Sequence, residues 1–242
     1  MIPSTWFRRL VFGLFVLEVI GAMMWLATLL VPNPADKALA ETIAGLVFLL
    51  GYYSGAPLSA RFLAPRESTD TAMQHRLSRV LRELPQSQTV VLYDHAEANA
   101  VTVGILASQS RIYVTTGLMG RLSDAGLMGI LAHERTHVAE HHILVTFAYA
   151  CTYTLLVNGI HNNYLFLFGF VAFMTMRRYL EYRADAGAAR WVGKAAIVTG
   201  LKELNAINPS SRRWTRWFMM LATHPALSMR IEALENGRKA WF

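Results

Sequence analysis

The segment best equipped for chemistry is His133-Glu134-Arg135-Thr136-His137. On a helix, residues four apart stand one turn apart on the same face, so both imidazoles can reach one cation. Glu134 projects beside them and can take a proton from a water held by that cation. A solvated helix with ordinary polar residues is the competing reading of the pentapeptide. Two donors are also too few, because a catalytic zinc generally takes three protein ligands plus water. The third must come from elsewhere, and Glu181 in Glu181-Tyr182-Arg183-Ala184-Asp185 is the best placed. Glu181 and Asp185 again share one helix face. Glu181 can bind the cation while Asp185 accepts an N–H from a ligating imidazole and fixes its tautomer. A salt bridge to one of the arginines is the alternative for Asp185.

The elements that must position these residues are unusually apolar. Of the 242 residues 54% are hydrophobic and 16% charged, against roughly 45–50% and about 25% in soluble domains. That balance excludes a disordered chain and argues against an ordinary cytosolic globule. One cysteine, Cys151, excludes an intramolecular disulfide framework and a cysteine-rich zinc finger.

Leu10 to Val31 carries one charge, Glu18, and as a helix covers roughly 33 Å, enough for a hydrocarbon core near 30 Å. It is too long for the apolar core of a signal peptide and runs into Pro32-Asn33-Pro34, so it reads as an anchor. Glu18 would face a partner helix or water, or sit near the interface. Thr42 to Ala60 is a second uncharged run, followed by Arg61 and Arg66. Ile143 to Met176 is a third; as one straight helix it would reach roughly 51 Å, too far for a single crossing. The polar cluster Asn158 to Asn163 divides it into a helical hairpin that dips into or through the bilayer.

With four crossings, segments 32–41 and 158–163 share one side and hold a single basic residue, Lys37, of the 23 in the chain. The positive-inside rule then places the bulk of the chain in the cytoplasm. It also accounts for the net charge of +7 without nucleic acid. No basic stripe resembles a nucleic-acid module, and Arg212 to Trp217 suits lipid headgroups better. If the helices on both sides of the hairpin continue out of the lipid, His137 and Glu181 stand roughly 8–9 Å above the hydrocarbon edge, at matching height.

The polar remainder reads as mixed structure. Ser68 to Leu84 has helical apolar spacing, Thr89–Tyr93 and Arg111–Thr116 read as strands, and Ser123-Asp124 can cap the helix carrying His133. Segments 177–204 and 226–239 read as mostly helical. His141 and His142 are expected in the headgroup region and His161 at the hairpin tip. The predicted organisation is 1–60, two transmembrane helices; 61–142, a cytoplasmic part with the paired histidines; 143–176, the membrane hairpin; and 177–242, a second cytoplasmic part with the third donor.

These residues resemble the HtpX-type membrane zinc metallopeptidases, relatives of the CAAX prenyl endopeptidases. Four features carry the resemblance, from about residue 89 onward. Asn99-Ala100-Val101-Thr102-Val103-Gly104 resembles an Asn-Ala-aromatic-Ala-x-Gly segment, with Val101 in place of the aromatic. Ile112 to Leu118 resembles the strand and turn that lead to the metal helix. The H-E-x-x-H and E-x-x-x-D pairs follow, and Thr223-His224-Pro225 with Arg230-Ile231 resembles the C-terminal element. Many relatives have Gly or Ser where Thr136 stands.

The resemblance implies a mainly α fold with a small β-sheet, an integral membrane gluzincin-type metallopeptidase with two N-terminal transmembrane helices and a hairpin between the zinc-ligand helices. It implies one zinc per chain bound by His133, His137 and Glu181, with Glu134 as general base. His224 would steady the transition state or occlude the site, unless it is a turn contact before Pro225. Arg230 would hold the acidic residues in place. Ile112 to Thr115 would be an edge strand to which an extended substrate adds, so that Asn99, Ile112, Tyr113 and Val114 contact substrate.

The implied activity is endopeptidase cleavage of membrane proteins or their cytoplasmic loops, as quality control at a bacterial inner membrane with the site on the cytoplasmic side. A protein or peptide substrate and the lipid bilayer are then the expected partners, without nucleic acid. A non-catalytic signalling protein, an intramembrane protease and a processing protease for prenylated proteins compete. The first predicts an extracytoplasmic sensing domain that the sequence lacks. The second predicts an apolar helix around His133, where Asp124, Arg135 and Glu140 stand instead.

Overall fold

The computed structural model describes residues 33–63, 66–84, 88–160, 163–207 and 224–237, with isolated positions between 19 and 29. The expected anchor Leu10–Val31 with Glu18, and the stretch Arg212–Trp217, lie outside the described residues, apart from those isolated positions. The architecture is mainly helical around one small sheet.

Helix α1 (Pro34–Leu63) is followed by α2 (Thr71–Arg82). Asp70 caps α2 by accepting the Met73 N–H at 3.0 Å, and its apolar face buries Leu77 and Val80. Strands β1 (Thr89–Tyr93), β2 (Ala100–Val103) and β3 (Arg111–Thr115) follow, in the spatial order β1-β3-β2. β1 runs parallel to β3 and β2 antiparallel to it. Gly104 turns the chain out of β2 at φ +112°, where a Cβ would stand 2.8 Å from the Ser110 Cα.

The sheet corrects one expectation. β3 is not an edge strand but the central one, paired on both sides. Its Ile112, Tyr113 and Val114 are buried in the core, which is why the run is so rich in β-branched and aromatic residues. β2 is the edge, and on the other side Tyr93 of β1 makes a bridge with Glu67.

A short α3 (Thr116–Met119) leads to α4 (Asp124–Ala139), which starts where Ser123 Oγ accepts the Gly126 N–H at 3.0 Å. Arg76 of α2 holds this junction through the carbonyls of Met119 and Leu122 and the carboxylate of Asp124. α7 (Lys194–Ile207) lies against α4 almost backbone to backbone: a Cβ at Gly129 would stand 2.5 Å from the Ala196 carbonyl oxygen. Leu77, Leu92, Val114, Leu118, Leu131 and Ile197 fill the core between sheet and helices.

α4 does not continue straight into the apolar run. Its cap is Glu140, and His141 adopts the left-handed conformation at φ +56°, a backbone state that a residue past a helix end can take. α5 (His142–Ile160) then sets off afresh. α6 (Asn163–Val192), by contrast, is one 30-residue helix from the apolar run through Glu181 and Asp185. Tyr149 and Tyr153 of α5 donate to the carbonyls of Gly169 and Phe166 at 2.7 and 2.8 Å, clamping α5 to α6.

α1 lies along α5, with the Tyr53 and Phe147 rings 5.4 Å apart. Among the described residues α5 alone is long and apolar enough to cross a membrane, with mean hydropathy 1.6, and only His142 and Thr146 of it are buried. α6 changes character along its length. Phe166, Phe168 and Val171 are exposed, whereas Leu180, Glu181, Ala184 and Asp185 are buried. α8 (Leu227–Asn236) packs on α7 and carries the buried Arg230.

Candidate active site

α4 and α6 cross so that one face of each supplies the donors. His133 Nε2 and His137 Nε2 stand 3.1 Å apart. Glu181 on α6 brings one carboxylate oxygen to 3.5 Å from the first and the other to 3.6 Å from the second. Donors at about 2.1 Å from a tetrahedral centre stand about 3.4 Å from one another, the spacing these three approach. Two neutral imidazoles and a carboxylate are also a donor set that zinc accepts. The residues present therefore fit the ion.

The groups around the donors point their other atoms outward. His133 Nδ1 lies 2.9 Å from Asp185 Oδ1, and Arg230 grips the same carboxylate with Nε at 2.8 Å and Nη2 at 2.6 Å. Arg230 Nη1 reaches Glu181 at 3.3 Å. Glu134 faces the cavity from α4, and the Thr102 hydroxyl on β2 donates to its Oε2 at 2.7 Å. His224 Nε2 stands 3.4 Å from Glu181 Oε1, with 55% of its side chain exposed. The cavity of about 290 Å³ is lined by His133, Glu134, His137, Glu181, His224 and Arg230, and by Asn99 to Thr102 at the β2 edge. Ile112, Tyr113 and Val114 do not reach it.

The model of peptidase family M48 matches residues 67–238. The chain belongs to that family. The protease HtpX of Vibrio parahaemolyticus is 27% identical across 72% of this chain and 75% of its own. The protease HtpX of Haemophilus influenzae is 28% identical across 71% and 75%. The crystal structure of Ste24p from S. mikatae matches at a TM-score of 0.68 and 16% identity, over 94% of this chain and 65% of that one. That likeness shows a shared fold. M48 enzymes are metalloproteases and in general zinc-dependent, so this chain is a metallopeptidase by membership.

Electrostatics in the M48 site follow from burial among opposite charges. Burial alone would raise the Asp185 pKa, but the charge and hydrogen bonds of Arg230 outweigh it and hold the carboxyl at about 2. Burial and Arg230 both push His133 down, yet its bonds to Asp185 and Glu181 prevail, so the ion-free imidazole keeps its proton to about 9. A divalent cation held by this imidazole would have to displace that proton. Burial pushes the Glu134 carboxyl up, against the lowering effect of His133 and Thr102.

Two contacts of this M48 site have no counterpart in the sequence reading. Thr102 stands where the resembled segment has its second Ala, and that departure was the only signal available for it. His142 is not open to its surroundings. It is buried, and its Nδ1 lies 3.0 Å from His137 Nδ1. The break at His141 turns it back onto α4.

Proposed function

We propose that this chain is a zinc-dependent endopeptidase that cleaves membrane proteins or their cytoplasmic loops. His133, His137 and Glu181 serve as the metal ligands and Glu134 as the general base. The reading is carried by one observation: three donors at 3.1 to 3.6 Å from one another open onto the same cavity as the Glu134 carboxylate. When bound there, zinc would acidify a water and polarise the scissile carbonyl.

The chain's own residues do the rest. Glu134 takes the proton of the attacking water and passes it to the departing amine nitrogen. Asp185 accepts the His133 Nδ1–H, so that Nε2 keeps its lone pair for the ion. Arg230 holds Asp185 and Glu181 together. His224, on the open side, is placed to meet the charge that develops on the carbonyl oxygen. An extended substrate adds to the free edge of β2, where the main-chain groups of Ala100 to Val103 that do not face β3 give it hydrogen bonds.

The membrane part of the reading rests on surface and charge. α1, α5 and the first half of α6 expose large apolar residues, including Val47, Leu155 and Phe168. Basic residues are nearly absent from segments 32–41 and 158–163. Both features suit a multi-pass protein of a bacterial inner membrane, with segments 61–142 and 177–242 forming a cytoplasmic peptidase around the 143–176 hairpin. Quality control of neighbouring membrane proteins is the role this placement fits.

The test uses the zinc-loaded chain in detergent with a mixed set of membrane proteins, and mapping of the cut sites. Glu134→Gln retains zinc and loses about 10²–10⁴-fold in cleavage rate. His133→Ala loses both zinc and cleavage. A Glu134→Gln protein that cleaves like the wild type removes Glu134 from the mechanism.

A further inference from the structure

The two histidine ligands are supported by similar but unequal chains of contacts. Each presents Nε2 to the shared position and Nδ1 away from it. Behind His133 stand Asp185 and Arg230, whose Nη2 bonds Asp185 and also lies 3.1 Å from His133 Nδ1. Behind His137 stands a second imidazole: His142 Nδ1 at 3.0 Å, with its own Nε2 3.3 Å from Glu140 Oε2. Glu140 in turn is held by Arg183 at 2.8 Å and Arg190 at 2.7 Å, both on α6. Carboxylate and guanidinium end both chains, and His142 is interposed in one of them.

A cation on His137 Nε2 forces that ring's proton to Nδ1, since a neutral imidazole carries only one. The Nδ1–H can then donate only to an unprotonated His142 Nδ1. That places the His142 proton on Nε2, facing Glu140. Each donor in the series meets an acceptor. His142 cannot itself be a ligand in this arrangement, because the nitrogen nearest the site faces the back of His137. Its burial, with 4% of the side chain exposed, leaves no solvent to take over the role.

We propose that His142, backed by Glu140, is the positioning residue of the second histidine ligand, fixing the tautomer and ring orientation of His137. The inference rests on the reading of His133, His137 and Glu181 as metal ligands. It also gives the left-handed backbone at His141 a purpose: a straight continuation of α4 would carry residue 142 away from His137.

The experiment measures zinc affinity of the full-length chain in detergent micelles by competition with a chelator, and the visible spectrum of the cobalt form. His142→Ala weakens zinc by about 10- to 100-fold and perturbs the cobalt bands. Asn places a polar atom near the His Nδ1 position, and Gln places one near Nε2. His142→Asn therefore restores most of the affinity and the cobalt spectrum, whereas His142→Gln behaves like Ala. Equal affinity in all three variants, or equal weakening of the Asn and Gln forms, overturns the proposal. A wild-type chain that binds no zinc overturns the ligand assignment beneath it, a separately visible failure.

Discussion

The Thr102 hydroxyl has one proton to give and sits between two oxygens of the same residue, 2.7 Å from Glu134 Oε2 and 3.0 Å from the Glu134 carbonyl. The shorter contact to a charged acceptor is the stronger, so one carboxylate oxygen is tethered and the other is left for water. Thr102→Val removes the tether without changing the side chain's shape. Without it the carboxylate loses its fixed orientation towards the water, so kcat falls roughly tenfold. KM changes little, and Thr102→Ser keeps most of the rate. Steady-state kinetics on a quenched peptide decide it. The histidine pair and the Glu181–Asp185 pair were legible in the sequence because helical periodicity puts their members on one face. Thr102 was not, because its partner lies on another element and only the folded sheet brings them together.

Among the elements, the crossing of α4 and α6 depends on one small residue. Thr136 bonds its hydroxyl back to the Ala132 carbonyl at 2.8 Å, and its methyl lies against Gly187. A Cβ at Gly187 would collide with that methyl. Thr136 is thus accommodated by a glycine on the facing helix. Gly187→Ala lowers stability by about 1–3 kcal/mol. Adding Thr136→Ser removes the methyl, the nearest atom, and returns part of the loss, a coupling that thermal unfolding of the single and double variants reads directly. The start of α4 was legible because Ser123 can cap it; the starts of α2 and α3, behind Asp70 and Thr115, were not, since helical spacing reads from Ser68 and Thr116 reads as the end of a strand. Nor was the order of the strands. A buried β-branched run looks the same at a sheet's edge and centre, and the four residues of β2 are too few to alternate visibly. The interruption at Glu140–His141 was equally hidden, since neither residue is the glycine that usually marks such a place.

The molecule as a whole is divided by what its surface can face. Phe168 is 68% exposed on an apolar helix, while Glu232 is exposed on α8, beside the core. If the α5–α6 hairpin sits in lipid, Phe168→Arg adds about 2.5–3.5 kcal/mol to insertion when the site is near the bilayer centre. The share of protein that stays with membranes after alkaline washing then falls, whereas Glu232→Arg leaves it unchanged. Phe168 and Glu181 also belong to a single uninterrupted rod. Each residue added to such a rod advances everything beyond it by about 100° of azimuth and 1.5 Å. One alanine inserted after Thr175 leaves every functional side chain in the chain, yet the apolar half and the buried half that carries the third donor can no longer both keep their places. With His133, His137 and Glu181 as the proposed ligands, elemental analysis of that variant finds less zinc than in the wild type: the greasy half of α6 and the acidic half that faces α4 share one phase.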